Sequence, residues 1–97
     1  MTYTLHPAAE QDVADAMDAY LAAAGFAVAD RFLKEFRRVI ALLVEYPQLG
    51  TPATNGRRTY PFRTFPYSVV YRVAESQILI LIVRHQHRKP TYGSGWA

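Results

Sequence analysis

The run Arg84-His85-Gln86-His87-Arg88-Lys89 places several chemically active groups within six residues. Arginine binds phosphate or carboxylate through its planar fork, and lysine adds a point charge. Histidine exchanges protons near neutral pH, and Tyr92, just beyond the run, could stack on a nucleobase. A base, an acid and nearby cations are what phosphodiester cleavage requires. The same groups would also suit a surface that only binds an anionic partner, or a solvated strand end that only keeps the protein soluble.

Other kinds of site have little support. The absence of cysteine excludes a thiol nucleophile, a thiolate metal site and a disulfide. His85 and His87 could supply two metal ligands from one strand, but no nearby carboxylate completes the set, and the flanking cations oppose a metal. The three serines (Ser68, Ser76 and Ser94) are not in a nucleophile-elbow context, and no glycine-rich phosphate loop is present. We therefore expect no metal and no cofactor.

The charge of the chain is unevenly distributed. Residues 1–30 contain five acids and no lysine or arginine. Residues 31–97 contain all 11 lysines and arginines and three acids, so this part carries a charge of 11 − 3 = +8. Such asymmetry indicates an acidic or polyanionic partner.

Size and composition predict a single soluble domain over residues 1–97. A hydrophobic fraction of 51% and an aromatic fraction of 13% are typical of a folded globule. The N-terminal residues lack the pattern of a secretory signal, and the longest strongly apolar run, Ile78 to Val83, is too short to cross a membrane as a helix. The lack of cysteine fits the cytoplasm.

The first half of the chain is predicted to form two helices. A short edge strand is predicted over residues 3–6, and Pro7 suits the first position of a helix that Gly25 ends. Its apolar residues keep helical spacing, while Asp12, Asp15 and Asp18 are predicted to face away from them. A second amphipathic helix follows over about residues 27–46. Because the connection is short, the two helices are expected to form an antiparallel hairpin.

The second half of the chain is predicted to form three strands. After a loop from Pro47 to Gly56, the periodicity changes from helical to two, which predicts strands over residues 58–65, 67–73 and 77–84. Joined by short turns, these strands form an antiparallel meander. The predicted fold is α+β with the order β-α-α-β-β-β, in which a helical hairpin packs on a small antiparallel sheet. Arg63 and Arg72, on the two neighbouring strands, would then lie near the basic run.

The last strand is apolar on both faces. Strict alternation places Ile78, Ile80, Ile82 and then Arg84 on one face, with Leu79, Leu81, Val83, His85 and His87 on the other. A helical hairpin covers one face of a sheet. The second face is then covered either by the rest of the chain or by a partner.

Several segments, taken in order, resemble a known family. Residues 6–10 (HPAAE), 29–32 (ADRF) and 46–50 (YPQLG) are similar to the N-terminal half of the RelE/ParE superfamily of bacterial toxins. Residues 57–58, 62–63, 67–72 and 83–92 are similar to its C-terminal half. The resemblance covers nearly the whole chain and is closer to the ParE, or plasmid-stabilisation, branch.

This resemblance implies the toxin of a type II toxin–antitoxin pair. ParE-like members inhibit DNA gyrase, and RelE-like members cleave messenger RNA on the ribosome. Both are neutralised by a cognate antitoxin, which implies a toxin–antitoxin hetero-oligomer and no membrane. A relative that has lost toxicity and only binds its partner is a third possibility.

The resemblance also implies site residues. For a gyrase inhibitor, the target-binding residues would be Arg63, Arg72, Arg84, His85, His87, Arg88, Lys89 and Tyr92. For a nuclease, the catalytic candidates would be His85, His87, Arg63, Arg88 and Tyr92. RelE-like nucleases use lysine from the central strands, where this sequence has none, and alignment on Tyr92 places Gln86 where a late catalytic arginine is expected. The nuclease pattern is therefore incomplete, and gyrase inhibition is expected.

Overall fold

The computed structural model describes residues 1–86. In chain order, the elements are β1 (Thr2–Leu5), α1 (Pro7–Ala24), α2 (Phe26–Glu45), β2 (Thr51–Pro52), a single 3₁₀ turn (Thr54–Gly56), β3 (Arg57–Pro61), β4 (Tyr67–Ala74) and β5 (Gln77–His85). The predicted order of one strand, two helices and three strands is confirmed. The two-residue β2 and the 3₁₀ turn lie inside the predicted loop.

The helix α1 begins and ends at local signals in the sequence. Pro7 occupies its first turn, and the Nδ1 atom of His6 accepts a hydrogen bond from the backbone N–H of Ala8 at 3.0 Å. A histidine thus satisfies one of the free amides of the first turn. At the other end, Gly25 has a φ of 89°, which favours glycine, and its N–H donates to the carbonyls of Tyr20 and Leu21. Since α2 begins at the next residue, the two helices form the expected hairpin.

The sheet is mixed, with strand order β1-β5-β4-β3-β2. β2, β3, β4 and β5 pair antiparallel, as expected for the meander, whereas β1 pairs parallel with β5. β1 is an edge strand, as predicted. The strand predicted over residues 58–65 corresponds to β3 and ends at Pro61, four residues before the expected limit at Phe65, because the proline cannot donate to the ladder.

The core lies between the helical hairpin and one face of the sheet. Phe32 is fully buried, and its ring centroid lies 5.1 Å from that of Tyr67 and 5.3 Å from that of Phe65. Tyr20 of α1 adds an edge-to-face contact with Phe65 at 5.2 Å. These ring contacts attach both helices to the start of β4.

A second set of contacts fixes the loop between α2 and β3. The hydroxyl of the buried Tyr71 accepts the N–H of Gly50 and donates to the carbonyl of Pro47, both at 2.8 Å. A Cβ atom at position 50 would lie 2.6 Å from this hydroxyl oxygen, so the close approach requires glycine. Arg58 also donates to the carbonyls of Gln48 and Gly50. The loop is therefore held by β4 and β3 together.

The second face of the sheet is also buried. Val70, Leu81 and Ile82 are 3%, 1% and 1% exposed, although they are not part of the helix-packed core. Of the two alternatives for this face, burial within the chain itself is therefore confirmed. Neither α1 nor α2 is long and apolar enough to cross a membrane.

Candidate functional site

The start of β4 and the end of β5 form one end of the sheet. Tyr67 pairs with His85, Ser68 pairs with Arg84, and the N–H of Gln86 donates to the carbonyl of Pro66 at 2.8 Å. The loop between β3 and β4 leads into the same end and carries Arg63. The first residues of the basic run and Arg63 therefore lie at the same end of the sheet, on β5 and after β3. We call the group Arg63, Arg84 and His85 the basic strand end.

A β-bulge decides which way these side chains face. Tyr71 pairs with Ile80 and Val70 pairs with Ile82, so Leu81 has no partner of its own on β4. The extra residue reverses the alternation beyond it. Ile78, Ile80 and Val83 consequently share the helix-packed core, whereas Ile82 does not.

Because of this bulge, Arg84 and His85 lie on the opposite faces of the sheet from those that strict alternation predicted. Arg84 was expected to share a face with Ile78 and Ile80, and it lies on the opposite face instead. His85 follows Val83 onto the helix side, where its ring lies 5.0 Å from that of Tyr67 at an interplanar angle of 83°. The prediction that Arg84 and His85 lie on different faces is confirmed, but the face of each was wrong.

Aspartates from α1 approach His85. Asp12, Asp15 and Ala16 line a small cavity of about 40 Å³ together with Tyr67, Val83 and His85. Asp12 is buried, and its Oδ2 atom accepts the backbone N–H of Val83 at 2.9 Å. The expectation that Asp12 faces away from the core was wrong. Asp12 lies one helical turn from Ala9 and from Ala16, which are both buried. This spacing could have predicted that Asp12 is on the buried side of α1.

Arg63 lies in the β3–β4 loop and not on a strand. Its side chain is exposed, while its backbone N–H donates to the Oε2 atom of Glu35 at 2.5 Å. The same carboxylate accepts two hydrogen bonds from Arg38, at 2.7 and 2.8 Å. The bidentate Arg38 contact lowers the pKa of Glu35 below its ordinary value, and the Arg63 amide lowers it further. Glu35, which the sequence analysis did not single out, thus fixes this loop on α2.

Arg72 lies at the other end of the sheet. It pairs with Leu79 on β5 and with Arg57 on β3, four residues along β4 from the partner of Arg84. At the rise of a strand, four residues correspond to about 13 Å. Arg72 was expected near the basic run, but it does not lie beside Arg84 and His85, which with Gln86 are the described residues of that run. Its Nε atom is buried without a hydrogen bond among the described residues.

The chemistry available around Arg84 is limited. Its neighbours in the same cross-strand row are Ser68 on β4 and Pro61 on β3, neither of which is a cation or a general base. No described strand carries a lysine, and residues 1–86 contain no cluster of three side chains suited to a metal ion. His85 is the one described histidine at this end, and it faces the helices. Within residues 1–86, this arrangement can attract an anion, but it does not bring Arg84 and His85 onto one face.

Comparison with known proteins adds the family. A model of the ParE toxin of the type II toxin–antitoxin system parDE matches residues 3–90. The chain belongs to the ParE toxin family. Accordingly, it is the toxin component of a type II toxin–antitoxin system.

The fold of this ParE-family toxin is also found in a solved structure. A chain of the chromosomal ParDE toxin–antitoxin system from P. aeruginosa superposes with a TM-score of 0.78 at 24% sequence identity, covering 88% of this chain and 95% of that one. No curated protein matches the sequence. The predicted RelE/ParE-like fold and the closer likeness to the ParE branch are confirmed.

Four of the residues predicted for the toxin's site fall outside the described residues. These are His87, Arg88, Lys89 and Tyr92. Of the described ones, the structure brings Arg63, Arg84 and His85 to one end of the sheet and separates Arg72 from them.

Proposed function

We propose that this ParE-family toxin inhibits DNA gyrase by binding it, with the basic strand end as the contact surface. The observation that supports binding over catalysis is that Arg84 and His85, consecutive residues of β5, face opposite sides of the sheet. A nuclease needs a proton-transferring group and a phosphate-binding cation on the same side of the scissile bond. Here the arginine faces away from the helices, and the histidine packs against Tyr67 on the helix side.

The geometry of the basic strand end suits an acidic protein surface. The exposed Arg63 projects from a loop that Glu35 and Arg38 hold in place, so little conformational entropy is lost when the loop contacts a partner. Arg84 stands at the end of a paired strand, and the sequence continues with further cations at Arg88 and Lys89. A preorganised group of arginines is typical of an interface that recognises carboxylates or phosphates.

We also propose that a cognate antitoxin binds the toxin and neutralises it in a hetero-oligomeric complex. The ParE family and the ParDE structure support an antitoxin partner. The charge of +8 on residues 31–97 favours an acidic antitoxin segment. Co-expression with a cognate antitoxin is expected to restore growth and to yield a co-purifying complex.

The proposed target is tested by producing the chain without an antitoxin. Purified toxin is added to a gyrase supercoiling reaction and, separately, to translating ribosomes with a labelled messenger RNA. Loss of supercoiling with intact messenger RNA is the expected result. Ribosome-dependent cleavage with normal supercoiling would instead identify a nuclease of the RelE type, and unaffected growth on expression would identify a non-toxic relative.

A further inference from the structure

Exposed apolar side chains gather along one edge of the molecule. Met1, Tyr3, Tyr46, Leu49 and Val73 are between 37% and 54% exposed. They belong to two adjoining depressions of about 610 and 400 Å³ that share Met1 in their lining. The larger one lies between β1 and the second half of α2, and the smaller one between Val73 and the loop after α2. Together they form a groove, which we call the edge groove.

The strand beside the edge groove has an open outer edge. β1 is the last strand of the sheet on this side, and no described residue pairs with its outer edge. The N–H of Thr2 donates to Ser76 and that of His6 to Ile80, which shows that alternate residues direct their amides towards β5. Tyr3 and Leu5 therefore present their N–H and C=O groups outward. β1 has no proline, charge or bulge to discourage pairing with another strand.

The edge groove carries a positive charge at one end and a negative charge at the other, so two copies of it can be complementary. Arg37 lines one depression and Glu45 lines the other, and both are exposed. They lie eight residues apart on α2, a separation of about 12 Å along the helix axis. A two-fold rotation about the middle of the groove exchanges its ends and brings Arg37 of one copy opposite Glu45 of the other. This self-complementarity is what an isologous interface requires.

We propose that the edge groove is an interface for a second copy of this chain. In this dimer, β1 pairs antiparallel with β1 of the second copy, so that the two sheets become continuous. The apolar side chains of the groove are buried in the middle, and Arg37 and Glu45 form ion pairs at both ends. The interface lies at the opposite end of the sheet from the basic strand end, so self-association and target binding do not compete for residues.

Sedimentation equilibrium of the purified full chain tests the dimer. We expect a mass of twice 11.0 kDa at a concentration of about 100 μM and dissociation on dilution. Arg37→Glu and Glu45→Arg place like charges opposite each other, so each is expected to weaken the dimer by about tenfold or more. The combined variant restores opposite charges and should recover the wild-type constant to within about threefold. Arg31→Glu, an equal charge change outside the groove, serves as the control.

Hydrogen exchange of the unmodified chain gives a readout that needs no variant. The amides of Tyr3 and Leu5 are expected to become protected as the concentration rises, while those of β4 stay unchanged. A monomeric mass up to about 1 mM would overturn the proposal and leave the edge groove to a different protein. The proposal would also be overturned if neither single charge reversal weakened the dimer, or if the combined variant failed to restore the wild-type dissociation constant.

Discussion

The Oδ2 atom of Asp12 accepts a hydrogen bond from the backbone N–H of Val83 at 2.9 Å and thereby joins α1 to the end of β5. β1 pairs with β5 only as far as Ile80, so the edge of β5 beyond that residue has no neighbouring strand among the described residues. The carboxylate takes the place that a strand carbonyl would occupy. Asp12 therefore fixes the backbone immediately before Arg84 and His85.

Substitution of Asp12 should destabilise this end of the sheet in a graded way. Asp12→Ala leaves the buried N–H of Val83 without its acceptor, which is expected to lower the free energy of unfolding by about 1–3 kcal/mol. Asp12→Asn keeps an acceptor oxygen and should lose less. Urea denaturation gives the free energies, and hydrogen exchange at Val83 locates the effect. Equal stability of the wild type and the alanine variant would show that the hydrogen bond contributes nothing.

The loop that carries Arg63 should respond to pH through Glu35. The Arg38 guanidinium holds the pKa of Glu35 below its ordinary value of 4.5. A carboxyl group with a lowered folded pKa stabilises the protein above the unfolded pKa, and this stabilisation is lost as the pH falls through the folded value. The wild type should therefore exceed Glu35→Gln in melting temperature at neutral pH, and the difference should shrink below about pH 4.5. A difference that stays constant or grows in acid would contradict this assignment.

The hydroxyl of Tyr71 should contribute to stability through the loop after α2. Tyr71→Phe removes the acceptor for Gly50 and the donor for Pro47, and we expect a loss of about 1–3 kcal/mol in the free energy of unfolding. Burial raises the pKa of Tyr71, so the hydroxyl keeps its proton at neutral pH. Tyr3→Phe, at an exposed position, is the matched control and should change stability by less than about 0.5 kcal/mol. Similar losses in the two variants would show that the loop does not depend on this hydroxyl.

The basic run should be required for toxicity but not for folding. Replacing Arg84, Arg88 and Lys89 together with alanine is expected to abolish growth inhibition while the circular dichroism spectrum stays unchanged. Exposed charges in general contribute little to stability and more to association with a charged partner. Growth assays with induced expression provide the measurement. Undiminished toxicity of a folded variant would place the active surface elsewhere.

The fold could largely be predicted because its signals are local. Pro7 and Gly25 mark the two ends of α1, and the change of period after Gly56 marks the start of the meander. The parallel pairing of β1 with β5 was not predicted, because it joins segments more than seventy residues apart and leaves no local trace. Helix ends are determined by neighbouring residues, whereas the pairing of strands depends on the whole chain.

The candidate site was harder to predict than the fold, because its geometry depends on one inserted residue. Residues 78–83 are all apolar, so the alternation offers no contrast that would reveal the bulge at Leu81. Strict alternation therefore put Arg84 and His85 on the wrong faces. The roles of Asp12 and Glu35 were also not predicted. Each carboxylate accepts a backbone N–H that is distant in the chain, and in the sequence of an amphipathic helix such a residue cannot be distinguished from an exposed acidic one.

Gyrase inhibition by purified toxin tests the central claim most directly. The wild type is titrated into a supercoiling reaction beside Arg63→Ala/Arg84→Ala, and Lys34→Ala on the exposed side of α2 is the matched control. We expect the wild type and Lys34→Ala to inhibit equally and the double variant to need at least about tenfold more protein, since arginines often dominate an interface. Failure of the wild type to inhibit supercoiling, or full inhibition by the double variant, would contradict the account.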